Sequence, residues 1–323
     1  MALLGAVVLA FVPAFLMAAF IYWLDRYEKE PVIMLGAAFL WGAVVAAGGS
    51  FVLNTIFGLG IYALTGSGDL TDQATASLVA PFVEEGLKAG ALLLIYIAFR
   101  SEFDSVLDGI IYAGVTALGF AATENVQYIY EHGYVDGGWE GFWTLAVIRV
   151  LIVAWQHPFY TSFTGIGLAV ARLQKNVLVK LLALVLGYSM AVFTHAFHNS
   201  FSAFMEGPEG FAVGSLLDWA GWMLMGVFIV YMIARERGLL QRQLKEEIPL
   251  GVMSESQYNR ALSPWTMSLA FFRGGVTARR FYQLCGELAH KKEQLMRLGD
   301  ERGNAAAISA LRGELTMLGP RVR

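Results

Sequence analysis

The sequence predicts an all-α fold, a polytopic bundle of about seven transmembrane helices followed by a small soluble helical tail. Mean hydropathy is +0.55 and 15% of the residues are charged, whereas soluble domains average roughly 25%. Several apolar runs reach about 20 residues, the length that a helix needs to cross a bilayer. Charge also divides the chain: residues 1–235 hold 9 Lys/Arg and 17 Asp/Glu, and residues 236–323 hold 14 and 9. These observations predict an acidic membrane part and a basic tail.

The composition also excludes several classes of function. A single cysteine, Cys285, rules out an intramolecular disulfide and any metal site built from cysteines. The chain has no glycine-rich loop of the kind that binds phosphate, and nothing in it suggests a nucleic-acid module. The basic tail is explained by membrane topology, so no nucleic-acid partner is expected.

The first apolar segment, residues 2–24, is predicted to be a retained transmembrane helix. No positively charged region precedes it, and Arg26 and Lys29 follow it, which is unlike a cleaved signal peptide. The second segment, residues 32–65, is too long for one upright span. We predict one long tilted helix there. The alternative is a helix with a re-entrant piece, broken near residues 48–50.

Five further spans are predicted from apolar runs. They cover about residues 75–99, 106–130, 142–171, 177–204 and 211–234. Lys or Arg follows the first, third, fifth and seventh spans, and the loops after the other three spans have neither. By the positive-inside rule, the N-terminus is expected outside and the C-terminus in the cytoplasm. That orientation requires an odd number of spans, and seven satisfies it.

The tail is predicted to be a cytoplasmic helical appendage. Residues 277–299 place apolar side chains at helical spacing among charged ones. A membrane-surface or regulatory role is the alternative. The predicted domains are therefore a transmembrane unit over residues 1–236 and a cytoplasmic helical tail over residues 237–323.

Four of the predicted spans carry polar side chains that are costly at bilayer depth. They are Glu84, Glu85 and Lys88, then Glu124 and Asn125, then Arg149 and His157, and finally His195, His198 and Asn199. Ionisable groups inside a membrane face a bundle interior or a wet cavity, and by default they indicate a functional site. At about 1.5 Å per residue, the groups of three spans lie about 9–14 Å below the outer surface, and His157 lies about 22 Å down. This agreement in depth predicts one site, largely in the outer half of the bilayer.

Helical spacing relates these side chains to one another. Glu84 and Lys88 stand at i and i+4 and can pair. His195, His198 and Asn199 stand at i, i+3 and i+4 and share one helix face. A proline directly after His157 favours a kink, which suits the entry of water.

The polar side chains of these four spans are compatible with two mechanisms of hydrolysis. Imidazoles and carboxylates around a wet cavity are ligands for zinc, and a metal beside a glutamate activates water. Without a metal, a Glu/His pair activates water directly, and Asn125, Asn199 or Lys88 stabilises an oxyanion. Because no His-Glu-x-x-His motif is present, spacing does not choose between the two.

Functions of other classes use the same groups. A proton- or ion-coupled transporter builds proton relays from buried Glu, Lys and His. Against it, the chain has no repeated halves with matched broken helices. A non-catalytic receptor or scaffold is a third alternative.

At these residues the chain resembles the PrsW family of intramembrane proteases, which is related to the CAAX prenyl protease and bacteriocin-processing group. The family motifs correspond to Glu-Glu-x-x-Lys at residues 84–88, Phe-Ala-x-x-Glu-Asn at 120–125, His-Pro-Phe at 157–159 with Phe-Thr-Gly-Ile-Gly at 163–167, and His-x-x-x-Asn at 195–199. The four occur in order, each on its own span. The resemblance covers about residues 15–235 and not the tail.

The resemblance implies a membrane endopeptidase, classed as a metalloprotease, with Zn²⁺ as the expected cofactor. We expect Glu84 or Glu85 to activate water, and Glu124, His157 and His195 to bind the metal or position that water. Asn199 is expected to support the transition state.

Other residues are expected in lesser roles. His198 is a further candidate metal ligand, ranked below His195 because the family has an aromatic residue at this position. Lys88, Asn125 and Arg149 are expected to support the site, Arg149 by pairing with an acid or orienting substrate. The expected partners are the lipid bilayer and a membrane protein or peptide substrate, such as a single-pass anti-sigma factor, in the bacterial cytoplasmic membrane. Prenyl-peptide cleavage is favoured less, because the second motif ends in Glu-Asn instead of a histidine.

Overall fold

The computed structural model describes residues 1–204, 207–300 and 303–322. Within these ranges every regular element is a helix and no strand occurs, which confirms the predicted all-α fold. Residues 301, 302 and 323 of the predicted tail lie outside the described residues.

Five helical stretches of the described chain are long and apolar enough to cross a membrane. They are Ala2–Leu24, Val32–Thr65, Val106–Arg172, Val177–Phe201 and Glu209–Glu247. The third has 67 residues, which is too long for a single crossing. The predicted span over 75–99 is not among the five, since it carries Glu84, Glu85 and Lys88. The number of seven spans and their orientation stay predictions.

The N-terminal part consists of α1 (Ala2–Leu24), α2 (Val32–Leu40) and α3 (Ala47–Thr65). A π-helical turn, Trp41–Ala46, joins α2 and α3 into one helix of 34 residues, so residues 32–65 form the single helix predicted, while its tilt stays a prediction. This helix is about 51 Å long at 1.5 Å per residue. Since the hydrocarbon core is about 30 Å thick, the helix must tilt or protrude.

The next elements are α4 (Gly68–Ala74) and α5 (Ala80–Ala98), joined by a π-helical turn over Thr75–Val79. The Ser67 side chain caps α4 by accepting a hydrogen bond from the backbone N–H of Leu70. Pro81 has no N–H to donate to the turn before it, and the helix widens immediately before that residue.

Helix α6 (Val106–Gln127) lies at the centre of the bundle. It begins with a capping box between Ser105 and Asp108. Every residue from Val106 to Ala122 is buried, and a helix buried on all sides must be surrounded by other helices. Helices α1, α2 and α8 pack against it.

The predicted span over residues 142–171 is interrupted. Helix α7 (Asp136–Val147) continues as a π-helical turn, Ile148–Ile152, and α8 (Gln156–Arg172) begins only after non-helical residues 153–155. Pro158 lies in the first turn of α8, where a missing N–H is tolerated. The predicted loop over 131–140 is largely helical: a π-helical segment covers Tyr128–Val135, and the chain kinks at Gly138, whose φ is +62°.

The last two helices long and apolar enough to cross a membrane are α9 (Val177–Phe204) and α10 (Gly207–Leu244). The predicted domain boundary at residues 236–237 falls inside α10, and the division into two domains stays a prediction. The tail contains α11 (Glu255–Ala261), α12 (Thr266–Leu298) and α13 (Asn304–Leu318). Phe281, Leu284 and Leu288 are buried, as their helical spacing predicts, in a core that the tail shares with Tyr27 of the N-terminal part.

Glycines bring three helices of the site close together. A Cβ added to Gly109 of α6 would lie 2.3 Å from the carbonyl oxygen of Gly165 in α8. A Cβ added to Gly167 of α8 would lie 2.5 Å from the carbonyl oxygen of Ala183 in α9. Helix contacts this close require residues without side chains. They hold α6, α8 and α9 in the arrangement that brings their polar side chains together.

Candidate active site and metal-binding residues

Glu85 on α5 lies at the centre of a buried polar network. Its Oε1 is 2.8 Å from Nζ of Lys88 and 3.1 Å from Nδ1 of His195 on α9. Its Oε2 accepts a hydrogen bond from Thr161 on α8, at 2.8 Å. The side chain is fully buried, and both carboxylate oxygens have partners. Glu85 therefore links three helices.

Glu84, the preceding residue, points elsewhere, because successive helical residues are about 100° apart. Its Oε2 lies 3.8 Å from Nζ of Lys88 and 3.8 Å from Nε2 of His195. This oxygen is buried and has no hydrogen-bond partner among the described residues. A buried carboxylate oxygen without a partner is costly, and a bound cation removes that cost.

His157 on α8 connects α5 with α6. Nδ1 of His157 lies 3.1 Å from Nζ of Lys88, and its Nε2 lies 2.9 Å from Oε2 of Glu124. The Arg149 guanidinium forms an ion pair with Glu124 and donates from Nε to Oδ1 of Asn125, at 2.8 Å. Arg149 thus holds the two polar residues at the end of α6.

The rings of the two histidines pack edge to face. The rings of His157 and His195 have centroids 5.1 Å apart, and the Tyr160 ring stacks on His195 at 4.9 Å. Tyr160 and Thr161 stand three and four residues after His157, on the same helix face. That spacing is the signal by which sequence reasoning could have found both residues.

The structure brings Glu84, Glu85, Lys88, Glu124, His157 and His195 into this one network, with Asn125 and Arg149 beside Glu124. It does not bring His198 into it. Nδ1 of His198 lies 3.1 Å from Oδ2 of Asp218 on α10, and its ring also contacts the amide of Gln156. The Asn199 amide donates to the backbone carbonyl of Ala76 at 2.8 Å, so it holds the turn that precedes α5.

A cavity of about 1190 Å³ leads to this network. Helices α1, α3, α4, α5 and α6 contribute to its walls, and Glu84 and Glu124 both line it. Ser50, Asn54 and Thr75 also line it, and each has a buried polar side-chain atom without a hydrogen-bond partner among the described residues. The wall of the cavity is mainly apolar, and the cavity gives a larger molecule a route to Glu84 and Glu124.

The residues of the network fit a divalent metal. Glu84, His157 and His195 each offer one ligand atom, all three atoms lie within 4.8 Å of one another, and all three residues are buried. Two imidazoles and one carboxylate are a known ligand set of catalytic zinc, which keeps a fourth position for water or substrate. The Glu84 oxygen without a hydrogen bond suits this set. Glu124 and His198, both expected as ligands from the sequence, are not in this group.

Comparison with known proteins gives one family. A profile described as "PrsW family intramembrane metalloprotease" matches residues 30–234, well over half of the chain. The chain is 27% identical to Protease PrsW of Bacillus subtilis over 221 residues, which is 68% of this chain and 87% of that protein. It is 27% identical over 153 residues to Protease PrsW of Geobacillus kaustophilus, covering 47% of this chain and 60% of that protein.

A third relative is more similar over a shorter part. Protease PrsW of Clostridioides difficile is 35% identical over 123 residues, covering 38% of this chain and 50% of that protein. The chain thus spans less than two thirds of the Geobacillus and Clostridioides proteins. No solved structure matches the chain significantly.

Proposed function

The chain belongs to the PrsW family of intramembrane metalloproteases, and on this premise we propose that it hydrolyses a peptide bond of a membrane protein, at an active site formed by Glu84, His157 and His195. The observation that carries the proposal is this buried group of ligand atoms within 4.8 Å of one another. It lies at a cavity whose volume of about 1190 Å³ is sufficient for a peptide segment.

We assign metal binding to Glu84, His157 and His195, with Zn²⁺ as the expected ion. A divalent metal in such a site makes water nucleophilic near neutral pH and polarises the scissile carbonyl. Glu85 binds Nδ1 of His195 and leaves Nε2 directed toward Glu84. A carboxylate behind a ligand histidine fixes its ring and raises its basicity, so Glu85 is a positioning residue.

Glu124 is assigned as the general base. It lines the cavity, lies beside His157 and is held by Arg149. In this position its carboxylate accepts the proton of the attacking water and returns it to the leaving amine. The sequence had suggested Glu84 or Glu85 for this role. The geometry favours Glu124, because both oxygens of Glu85 are bound and Glu84 stands among the ligands.

The proposed substrate is a membrane protein segment that unwinds in the cavity. Inside a bilayer, every backbone N–H and C=O without a partner costs several kcal/mol. Ser50, Asn54 and Thr75 line the cavity and have unused polar atoms that suit an unwound backbone. A single-pass regulator such as an anti-sigma factor is the expected substrate, cut in the outer half of the bacterial cytoplasmic membrane.

The test is cleavage of tagged single-pass membrane proteins, anti-sigma factors among them, co-expressed with the chain. Fragments are expected with the wild type and not with Glu84→Gln, His195→Ala or Glu124→Gln at equal expression. Fragments that persist in all three variants would overturn the proposal. Proteoliposome flux that depends on Glu84, without cleavage of any substrate, would favour the transporter instead.

A further inference from the structure

A second group of possible metal ligands lies where the tail meets the transmembrane helices. Glu28 lies between α1 and α2, Asp104 between α5 and α6, and His290 on α12. One ligand atom from each residue lies within 4.8 Å of the others. Both connections follow odd-numbered predicted spans, so the predicted orientation puts this group on the cytoplasmic side, away from the proposed active site.

One imidazole nitrogen faces two carboxylates here. Nδ1 of His290 lies 2.5 Å from Oδ1 of Asp104 and 3.1 Å from Oε2 of Glu28. A single N–H satisfies one of them well, and Oε2 of Glu28 is a buried oxygen without a hydrogen-bond partner among the described residues. Nε2 of His290 is also buried without a hydrogen-bond partner among the described residues, and the His290 side chain is 4% exposed. The hydrogen bonds of the described chain therefore leave this group incompletely satisfied.

Several further carboxylates are buried around this site. Besides Glu28 and Asp104, four buried carboxylates interact electrostatically with this group or with one another: Asp25, Glu30, Asp108 and Glu236. The nearest basic groups are His290, Lys29 and Lys291, and Arg235, Arg242 and Arg297 line the cavity beside Asp104, Glu236 and His290. Buried charge without a counter-charge is costly. A bound divalent cation would supply two positive charges directly between Glu28 and Asp104.

We propose that Glu28, Asp104 and His290 bind a divalent transition-metal ion, separate from that of the active site, which fastens α12 to both connections. One imidazole with two carboxylates suits zinc or manganese, whereas magnesium and calcium prefer oxygen ligands alone. Lys291 contacts Oδ2 of Asp104, at 3.4 Å, which leaves Oδ1 as the ligand atom. The ion takes the place of the proton on Nδ1 of His290.

Other contacts hold α12 in the same position without a metal. The Gln283 side chain accepts a hydrogen bond from the backbone N–H of Lys29 at 3.0 Å and donates one to its carbonyl at 3.1 Å. Gly286 packs so closely that an added Cβ would lie 2.6 Å from the carbonyl oxygen of Tyr27. Variants of His290 are therefore expected to keep the tail docked, which makes their metal content interpretable.

The experiment counts metal atoms per chain by plasma mass spectrometry, on full-length protein loaded in detergent with zinc or manganese and then desalted. Two atoms are expected for the wild type, one for His290→Ala, one for the Glu84→Gln/His195→Ala double variant, and none for the triple variant. His132→Ala, which changes a histidine whose side chain is 55% exposed, is the control and is expected to keep two. Because the two sites share no residue, failure of either proposal is recognised separately.

A charge-preserving variant distinguishes a metal site from an ion pair. His290→Lys keeps a cation opposite Asp104 and Glu28 but supplies no imidazole, so it is expected to hold one metal atom and a tail that resists limited proteolysis. Two atoms per chain in both His290→Lys and His290→Ala would overturn the proposal. So would a wild type with one atom that only the Glu84→Gln/His195→Ala variant loses. If His290→Ala does not fold, Asp104→Asn and His290→Lys are compared instead.

Discussion

Oε1 of Glu85 lies 3.1 Å from Nδ1 of His195, and both side chains are buried. The contact fixes the imidazole so that its other nitrogen, Nε2, faces Glu84. Two adjacent glutamates thus have different surroundings: Glu85 has hydrogen bonds to both oxygens, and Glu84 keeps an oxygen without a partner. Substitutions of Glu84 and of Glu85 are therefore expected to affect metal binding differently.

Glu84→Gln is expected to abolish metal binding at the active site, whereas Glu85→Gln is expected to weaken binding there by about 10- to 100-fold, the usual effect of removing a partner behind a ligand histidine. Isothermal titration of zinc into metal-free protein measures both. Glu131→Gln is the control, because Glu131 is an exposed carboxylate of the same cavity. Equal loss of affinity in Glu84→Gln and Glu85→Gln would contradict the assignment.

Glu124→Gln is expected to lower kcat by about 10²- to 10⁴-fold, the typical contribution of a general base, while the bound metal stays at the wild-type level. Cleavage kinetics and metal analysis on the same preparation check this. Gln127→Ala, in the same cavity wall one turn further along, serves as the control. Loss of the metal from Glu124→Gln would instead make Glu124 a ligand, as the sequence first suggested.

Asn54→Leu is expected to raise KM for a transmembrane substrate by about 2- to 10-fold and to leave kcat and metal content nearly unchanged. The reason is the loss of one hydrogen bond to the substrate backbone, which contributes about 0.5–1.5 kcal/mol. Val52→Leu is the control, since Val52 is exposed on the same helix and does not line the cavity. A fall in kcat with unchanged KM would show that Asn54 acts on the chemistry and not on binding.

Much of the fold follows from apolar runs, since long runs in this chain do form helices. The resemblance to the PrsW family is confirmed, and the relatives found in that family are named proteases. The break before α8 was missed, because residues 153–155 are Val-Ala-Trp and continue the apolar run without a sequence signal. Pro158 predicted a distortion there, but the sequence did not show that the helix would stop.

The site was predictable only in part, because spacing gives the helix face and tertiary packing decides what that face contacts. Glu84 and Glu85 could not be distinguished by sequence, since both lie near Lys88 and the further partners of Glu85 come from α8 and α9. His195 and His198 share one face of α9, yet one contacts Glu85 and the other Asp218. The contact of His290 with Asp104 joins residues 186 positions apart, and no local pattern indicates it.

Gly109→Ala is expected to destabilise the protein by about 1–3 kcal/mol, the usual cost of overpacking. The added Cβ would lie 2.3 Å from the carbonyl oxygen of Gly165 and would force α6 and α8 apart. A lower thermal midpoint in detergent, with weaker metal binding, is the expected result. Gly36→Ala is the control, because nothing lies within 4 Å of a Cβ there, and alanine favours the helix. Equal midpoints for the two variants would contradict the close packing.

The predicted orientation is testable with the chain's own cysteine left in place. Cys285 is fully buried, and burial raises the pKa of its thiol, so it is expected to stay unreactive. Asp69 lies between α3 and α5, so a cysteine placed there (Asp69→Cys) is predicted to face outward. Lys175 lies between α8 and α9, so Lys175→Cys is predicted to face the cytoplasm. A membrane-impermeant maleimide applied to intact cells is expected to label position 69 and not position 175, and both after lysis. The reverse pattern would place the cavity and Glu84 in the cytoplasmic half of the bilayer, and the proposed cleavage on the outer side would then be wrong.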